Sequence, residues 1–583
     1  MDFPAIVAFL QEWVLNKGIS IGGETISWSI IALLGTGVFL TLRLGFIQLR
    51  RLGHGFGVTS GKYDDPNEPG DVSHFQALTT ALSATVGIGN IAGVALAIHF
   101  GGPGALFWMW VTAFLGMATK FSEVVLAQNY RVLEGVDKDA KKWEGTVSGG
   151  PMYYIEKGLG PKWKPLAMFF AVMLGTTAFL TGNAIQANTL ADTMNTSFNL
   201  SPYITGAISA LIVAAVILGG ITRIGKVTGI LAPVMAGIYV LGAFIVIMLN
   251  IGDMPAAFAL IFREAFAPTA GVAGTGAGVL LVTLSWGVRR GLFSNEAGQG
   301  SAPIAHAAAK TDEPVSEGVV ALLEPFIDTI VICTMTGLVI IMTGVWNERL
   351  PTALSITGGD SAYVIHNENG SISQGAPAPA EIRVNGGEPV VGPDGARYAW
   401  HEVAIDMFYV DAAQTMPFSG TISPATGQAT SDDGQVYTVL HGNAVESGAP
   451  LTTLAFQRGF AFTGAIAGDF IVILGVILFA ISTAIAWSYY GDRCANYLFG
   501  PRAIVPYRIV YVLMHYVGAT VSLGLIWDLG DVFLGVVILP NLLALLILSP
   551  KIVELTKSYF DRRPWEENAR VHQELVDRRK RGE

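Results

Sequence analysis

The chain has 583 residues, of which 51% are hydrophobic and only 14% are charged. Soluble domains carry about a quarter charged residues, so the composition argues against a soluble protein. A disordered chain could not leave this much apolar surface in water, so the composition excludes a disordered protein. The formal net charge of −10 argues against a nucleic-acid binder, and two cysteines are too few for a disulfide framework or a typical zinc site.

Apolar stretches long enough to cross about 30 Å of hydrocarbon recur along almost the whole sequence. A buried helix of a large soluble protein can imitate one such stretch, but not a long series of them. The sequence therefore predicts an all-α polytopic membrane protein with about eleven transmembrane helices. The predicted spans are 25–42, 75–100, 103–128, 166–192, 203–221, 228–249, 273–309 (broken), 317–344, 460–488, 505–525 and 532–549.

Lysine and arginine are distributed unevenly between the predicted loops. The loop after the first span contains Arg43, Arg50, Arg51 and Lys62, whereas only Lys17 precedes that span. Cytoplasmic loops of membrane proteins are enriched in these residues. The sequence therefore predicts an N-terminus outside the cytoplasm, and an odd number of spans then places the C-terminus inside.

The second predicted span contains a glycine-rich interruption, the run 79–93 (TTALSATVGIGNIAG). Gly89 and Gly93 have the small-xxx-small spacing of a helix-packing device, which is one interpretation. The other is an unwound hinge, because Gly87-x-Gly89 is poor helix material. The free N–H groups of such a hinge would hold a carboxylate, and its free carbonyls would coordinate a cation.

A second interruption falls in the seventh span, within the run 286–303 (WGVRRGLFSNEAGQGSAP). The apolar part before Arg289 is too short to cross a bilayer, and Ser294-Asn295-Glu296 resembles a helix start, so the segment predicts two half-helices. A pair of interrupted spans in the two halves of a transporter indicates a site at the bilayer midplane. The alternative is that Arg289 and Arg290 mark an ordinary cytoplasmic helix end.

Charged and hydroxyl side chains within the spans are the remaining candidates for function. The adjacent Ser482 and Thr483 could supply hard oxygen ligands, although such hydroxyls usually bond to the preceding helical turn. Lys120 is expected to pair with Glu123, three residues along the same helix. Glu324 and Asp328 could relay a proton, bias an ion site or serve as structural partners of the arginines at 289 and 290.

The segment 346–452 departs from the membrane pattern. It is polar, rich in glycine, proline, serine and threonine, and carries nearly all of the net negative charge. Short β-like runs at 361–366, 381–384, 397–410 and 435–440 predict a β-rich extracytoplasmic insertion. The predicted organisation is a transmembrane part over 1–345, this insertion, a second transmembrane part over 453–550 and a cytoplasmic tail over 551–583.

Five motifs together resemble the alanine or glycine:cation symporter family of bacteria and archaea. They are the runs 79–93, 149–154 (GGPMYY), 182–189 (GNAIQANT), 286–303 and 479–487 (FAISTAIAW). The resemblance covers roughly 20–345 and 455–555 and implies the leucine-transporter fold, with two inverted five-helix repeats that each begin with a discontinuous helix. It also implies a bacterial or archaeal cell membrane. The family usually has a short connection where this chain has the 346–452 insertion.

The resemblance also implies roles for individual residues. The main Na+ site would comprise the carbonyls of Ser83 and Val86 with the hydroxyls of Ser482 and Thr483. Other residues would form the substrate pocket: the amides of Ile88 and Gly89 would bind the substrate carboxylate, next to Gly87. The implied neighbours of the substrate are Thr85, Asn90, Gln186 and Trp286, with Phe293 as a further aromatic candidate.

These observations predict a secondary active transporter that couples Na+ entry to the uptake of a small neutral amino acid, alanine or glycine, by alternating access. Coupling to H+ instead of Na+ is one alternative, and Asp328 would then gain importance. A channel or sensor that binds its ligand through 346–452 is another. An enzyme is not expected, because no motif supplies a nucleophile–base pair, a nucleotide loop or a metal-ligand cluster. The expected partners are the amino acid and the lipid bilayer, without nucleic acid.

Overall fold

The computed structural model describes residues 13–581 apart from 15–16, 22–23, 66–67, 135–145, 269–278, 357–360, 367–371, 374–375, 393–394, 462–465 and 522–523. The described part of the chain is mostly helical. The α-helical elements are α1 (Trp28–Arg43), α2 (Ile47–Thr59), α3 (His74–Thr85), α4 (Gly89–Gly101), α5 (Ala105–Asn129), α6 (Pro151–Leu159), α7 (Pro161–Phe198), α8 (Pro202–Ile217), α9 (Gly220–Leu249), α10 (Met254–Phe266), α11 (Val279–Asn295), α12 (Ala302–His306), α13 (Pro314–Thr343), α14 (Gly448–Gly459), α15 (Ile466–Phe499), α16 (Ile504–Thr520), α17 (Gly524–Arg562) and α18 (Pro564–Arg581). The predicted beginning of the seventh span, 273–278, lies outside the described residues.

Among the described residues, six helices are long and apolar enough to cross a membrane: α5, α7, α9, α13, α15 and α17. Two bent pairs raise the number to eight if each pair is one span. Helices α1 and α2 meet at 79°, and helices α3 and α4 meet at 56°. Helix α8, at 16 residues, is apolar but shorter. These are the helices of a multi-pass membrane protein.

Local sequence signals explain where several helices begin. Ser73 and Gln76 form a capping box at the start of α3, in which each side chain accepts a hydrogen bond from the other residue's backbone N–H. Proline occupies the first turn of α6, α8 and α13, as Pro151, Pro202 and Pro314. Proline is favoured there because its missing N–H would have had no partner within the helix.

Among the helices given above, α4, α7 and α13 contain π-helical turns, at Gly89–Gly93, Leu180–Ala184 and Phe326–Cys333 respectively. A π turn is an α-helix with one additional residue, and such turns are frequent at functional sites. The first lies at a break between helices, and each of the three reaches the region described in the next subsection.

The described segment between α13 and α14 contains antiparallel strands. The sheets have the strand orders β11-β10-β6-β7, β14-β13-β12-β8-β9 and β15-β5. The strands are β5 (Leu350–Ser355), β6 (Ser361–His366), β7 (Ile372–Ser373), β8 (Ile382–Asn385), β9 (Glu388–Pro389), β10 (Ala396–Trp400), β11 (Val403–Ala404), β12 (Gly420–Ser423), β13 (Gln428–Ser431), β14 (Val436–Tyr437) and β15 (Val439–Ala444). The predicted strand 361–366 is present with the same bounds. The segment between α13 and α14 has an apolar cluster of its own, which includes Tyr398, Phe408 and Phe418.

Two shorter hairpins precede that segment, β1 (Gly18–Ile21) with β2 (Glu24–Ser27) and β3 (Val132–Glu134) with β4 (Thr146–Ser148). The β-rich segment itself contacts the helices at the end of α4, where His99 Nε2 lies 2.9 Å from the carbonyl oxygen of His401. An ion pair between Arg458 of α14 and Glu348 lies beside the same junction.

The charged side chains inside the helical part pair differently from the prediction. Lys120 on α5 forms an ion pair with Glu324 on α13, with Nζ 3.0 Å from Oε1 and both side chains fully buried. The carboxylate of Glu123 instead accepts hydrogen bonds from the Gly300 N–H, at 3.1 Å, and from Asn541. The predicted pairing of Lys120 with Glu123 is therefore wrong, because α13 brings a second carboxylate to the lysine.

Candidate functional site

The glycine-rich run 79–93 forms the break between α3 and α4. Helix α3 ends at Thr85, and Val86 leaves the helical conformation with ψ of 90°. Beyond it, the Gly87 N–H donates to Asn90 Oδ1 at 2.9 Å, and the Asn90 N–H donates to the Gly87 carbonyl at 3.1 Å. These two reciprocal hydrogen bonds between Gly87 and Asn90 span the bend.

The Asn90 side chain also ties the break to two other helices. Its amide nitrogen donates to Ser294 Oγ on α11 at 3.0 Å and to Asp328 Oδ1 on α13 at 2.7 Å. Ser294 Oγ donates to Asp328 Oδ2 at 2.6 Å, and Thr329 Oγ1 donates to the same oxygen at 2.7 Å. Asp328 thus has hydrogen-bond donors on both oxygens, and the group is buried.

The oxygens predicted to bind Na+ come together only in part. Thr483 Oγ1 on α15 donates to the Ser83 carbonyl at 3.1 Å, which joins α15 to the last turn of α3. Ser482 Oγ instead donates to the Phe479 carbonyl at 3.0 Å and lies 3.2 Å from Met235 Sδ. Val86 and Ser83 are buried, and Ser83 Oγ has no hydrogen-bond partner among the described residues.

A small cavity lies against the break and has a volume of ≈ 20 Å³. Five of the predicted substrate residues line it: Thr85, Gly87, Ile88, Gly89 and Gln186. The other lining residues are Ala84, Thr181, Phe293, Glu296, Gln299, Thr483, Trp487 and Leu534. Among the described residues, the side-chain oxygens of Thr181, Gln186 and Gln299 are buried without a hydrogen-bond partner. Buried polar atoms of this kind usually have a partner, so these oxygens are suited to a polar ligand.

Glu296 is a charged lining residue that the sequence patterns did not identify as part of the site. Its Oε1 accepts a hydrogen bond from Trp487 Nε1 at 3.2 Å, and its Oε2 accepts one from Ser301 Oγ. The sequence places Glu296 in a predicted helix start, whereas α11 ends at Asn295 and Glu296 has φ of +55°. That prediction is wrong because α11 continues through Arg289 and Arg290, so the break follows at 296–301.

Two predicted residues lie next to the cavity rather than on its lining. Asn90 makes the contacts described above. Trp286 stacks on Phe100, with ring centroids 4.3 Å apart, and the Arg290 guanidinium lies 5.2 Å from its ring centroid. Trp487 and Thr181 also line the cavity. Trp487 ends the run 479–487, whereas Thr181 lies just before the run 182–189 and no sequence pattern indicated it.

A comparison with protein families finds a model that matches most of this chain. The model of the sodium:alanine symporter family matches residues 12–366 and 430–573, which include both helix breaks and the Ser482–Thr483 pair. Between these two ranges the family model leaves residues 367–429 unmatched, and those residues fall within the β-rich segment.

Individual relatives extend over most of the chain. The sodium/alanine symporter AgcS of Methanococcus maripaludis is 39% identical over 96% of this chain and 98% of its own length. A putative sodium/proton-dependent alanine carrier protein, YrbD, of Bacillus subtilis is 32% identical over 92% of this chain and 91% of its own length. A probable sodium/glutamine symporter, GlnT, of the same organism is 30% identical over 94% of this chain and 91% of its own length. With this coverage and these motifs, the chain belongs to the sodium:alanine symporter family, whose members are transporters and not enzymes.

Proposed function

We propose that the protein is a secondary active transporter that couples Na+ entry to uptake of a small neutral amino acid, alanine or glycine, by alternating access. The observation that carries this proposal is the small polar cavity at the α3–α4 break, within hydrogen-bond reach of Thr483. Family membership supports amino acid:cation symport. The relatives named as alanine symporter and alanine carrier support alanine as the substrate.

The substrate would be held at the start of α4. The amides of Ile88 and Gly89 lie at the N-terminal end of that helix, where the helix dipole and free N–H groups favour a carboxylate. Thr85 and Gly87 would line the same side, and the unpartnered oxygen of Gln186 would accept a hydrogen bond from the substrate amine. Of the remaining assignments, Asn90 would support the break and Trp286 would act from outside the cavity lining.

Na+ would bind between α3 and α15 through the carbonyls of Ser83 and Val86 and the hydroxyls of Ser482 and Thr483. Oxygen ligands of this kind suit a hard cation, and carbonyls freed by an unwound helix bind Na+ in transporters with discontinuous helices. The Thr483 hydroxyl already reaches the Ser83 carbonyl. Ser482 would have to turn from Met235 toward α3, so the binding of Na+ would draw α3 and α15 together.

The proposed architecture is the leucine-transporter fold with eleven spans. The two breaks, α3–α4 and α11–α12, would begin two inverted five-helix repeats, preceded by α1. The N-terminus and 346–452 would lie outside the cytoplasm and the tail over 551–583 inside, as the distribution of lysine and arginine indicates. The proposed domain limits remain 1–345, 346–452, 453–550 and 551–583.

H+ is the second candidate for the coupling ion. Asp328 bonds directly to Asn90 at the break, and one relative is named as a putative sodium/proton-dependent carrier. Uptake of alanine into proteoliposomes, driven by an imposed Na+ gradient with pH clamped on both sides, separates the two ions. We expect accumulation under the Na+ gradient alone. Accumulation that requires a pH gradient would favour H+, and the absence of saturable alanine counterflow would favour a channel or sensor.

Substitution Thr483→Ala is expected to weaken activation by Na+. Loss of one oxygen ligand should raise the Na+ concentration for half-maximal uptake about tenfold, which corresponds to ~1.4 kcal/mol. Na+ activation curves of alanine uptake measure this effect. Ser488→Ala is the matched control, because among the described residues the Ser488 hydroxyl, on the same helix, bonds only to the Ile485 carbonyl of the preceding turn. An unchanged Na+ requirement in the threonine variant would contradict the assignment.

Substitution Gly87→Ala is expected to lower uptake by about tenfold or more, because overpacking a tight site costs ~1–3 kcal/mol. A Cβ at position 87 would stand 2.9 Å from Thr483 Oγ1 and would displace that hydroxyl from its hydrogen bond with the Ser83 carbonyl. Gly93→Ala is the matched control, since a Cβ there meets only Arg290 Cδ at 3.9 Å. Initial uptake rates of the two variants, normalised to protein in the membrane, test the difference. Equal rates would show that the break has room for a methyl group.

A further inference from the structure

Five buried ionisable side chains form a continuous chain apart from the cavity lining. His74 Nδ1 contacts Glu317 Oε2, and Glu317 Oε1 lies 2.5 Å from His306 Nδ1. His306 Nε2 lies 3.5 Å from Glu324 Oε2, and Glu324 Oε1 is paired with Lys120. All five side chains are at most 3% exposed, and they join α3, α5, α12 and α13.

His306 is the centre of this chain, because each of its ring nitrogens faces a carboxylate. A neutral imidazole has one N–H and can donate to only one of them, whereas the imidazolium ion donates to both. Among the described residues, neither His306 Nε2 nor Glu324 Oε2 has a hydrogen-bond partner, although the two atoms face each other. A proton on His306 Nε2 would give both atoms a partner.

Charge balance favours one such proton. Two carboxylates and one lysine leave the five side chains with a net charge of −1 when both imidazoles are neutral, and a buried net charge is costly. One additional proton brings the chain to neutrality.

The surrounding charges act in both directions. Glu123 and Glu296 interact with Lys120, and Asp64 and Glu68 interact with His74, so these carboxylates favour the proton. Asp328 interacts with Glu324 and adds to the negative charge around the five side chains. Arg131, whose guanidinium donates to the carbonyls of Ala307 and Ala309, interacts with Glu317 and opposes the additional proton.

The chain of five ionisable side chains has one end near solvent and the other near the cavity. Asp64 and Glu68, which interact with His74, belong to the loop before α3, and Glu68 is bonded to Asn568 of α18. At the other end, Glu296 lines the cavity and interacts with Lys120. His74 is the first residue of α3, so its contact with Glu317 ties the first half of the broken helix to α13.

We propose that His306 is a proton-binding site, separate from the Na+ and substrate sites, and that its proton strengthens the His74–Glu317–His306 tie and slows the exchange of conformations. The site deepens the proposed function and rests on it for its effect on transport. The proton is a regulatory ligand here, because the chain of five contains no residue of the cavity lining. Transport is therefore faster when His306 is neutral.

Alanine counterflow at equal, saturating Na+ on both sides, measured from pH 6.5 to 10.5, tests the effect on transport. We expect the wild-type rate to fall severalfold as pH decreases, with a single transition. His306→Gln should show a flat profile. His515→Gln is the matched control, since that buried histidine faces Asn183 and Ser209 and no carboxylate among the described residues, and its variant should keep the wild-type transition.

Proton binding is measured separately on purified protein, by potentiometric titration in detergent. The wild type should bind about one proton more than His306→Gln between pH 11 and 6.5. If that variant does not fold, the isosteric Glu317→Gln replaces it and must shift the counterflow transition to lower pH, because it removes a negative charge that favours the proton.

The two measurements separate the possible failures. A pH-independent wild-type rate, or a wild-type transition retained by His306→Gln and Glu317→Gln, overturns the regulatory effect. Equal proton uptake by wild type and His306→Gln overturns the site itself. A wild type that exchanges no alanine at any pH overturns the proposed function and with it the effect on transport, while the titration still decides whether the proton is bound.

Discussion

Substitution Lys120→Met is expected to lower the free energy of unfolding by about 3–5 kcal/mol. Methionine keeps the length of the side chain but removes the cation that neutralises Glu324, and both groups are fully buried. The isolated carboxylate would then have to ionise in an apolar interior or take up a proton. Thermal unfolding of the detergent-solubilised protein, followed by size-exclusion chromatography, measures the loss.

Two further variants show whether the loss comes from the broken pair. The double substitution Lys120→Met with Glu324→Gln removes both charges, so it should recover a large part of the stability lost in the single variant. Lys551→Met breaks the exposed pair with Glu554 and should change stability by less than about 1 kcal/mol. A double variant no more stable than Lys120→Met alone would contradict a pairwise origin.

Substitution Asn90→Ala is expected to reduce alanine uptake at least about thirtyfold, the equivalent of ~2 kcal/mol. The change removes the acceptor of the Gly87 N–H and the donor to Asp328, and it leaves both groups buried without those partners. Because the same amide fixes the bend between α3 and α4, the carboxylate-binding N–H groups would lose their orientation. Initial uptake rates at saturating Na+ provide the measurement.

Asn188→Ala is the appropriate control for that substitution. Asn188 follows Gln186 closely on α7, but its side chain is at the surface and donates to the Val521 carbonyl. Its variant should retain uptake close to that of the wild type. Asn90→Ala with normal uptake and an unchanged substrate affinity would mean that the break does not depend on this amide.

The sequence was most informative where a feature is local. Gly87-x-Gly89 weakens a helix wherever it occurs, so the sequence indicates a break at this run as one of two interpretations, and the structure has the break between α3 and α4 there. Alternation and turn residues likewise located strand β6. The residue Gln186 could be assigned to the substrate pocket only through the resemblance, and the structure places it on the cavity lining.

The features that sequence reasoning missed depend on neighbours distant in the chain. Spacing alone favours Glu123 as the partner of Lys120, whereas packing of α13 on α5 supplies Glu324, which lies 204 residues away. Glu296 looked like part of a helix start because its neighbours are good capping residues. Its position opposite Trp487 follows from how α12, just after the 296–301 break, packs on α15, and no local pattern encodes that contact.

The three π-helical turns have a consequence for how the protein can tolerate change. Each holds one residue more than an α-helix would, so deleting a single residue within Gly89–Gly93, Leu180–Ala184 or Phe326–Cys333 could restore regular helical bonding there. The wider turn accommodates the additional residue, so the parts of the helix before and after it keep nearly the phase of an uninterrupted α-helix. A deletion within Leu180–Ala184 would therefore leave Gln186 close to its present face, whereas a deletion in a regular turn of the same helix would rotate everything after it by about 100°. The helices around the site thus tolerate the loss of one residue better inside these turns than a few residues away from them.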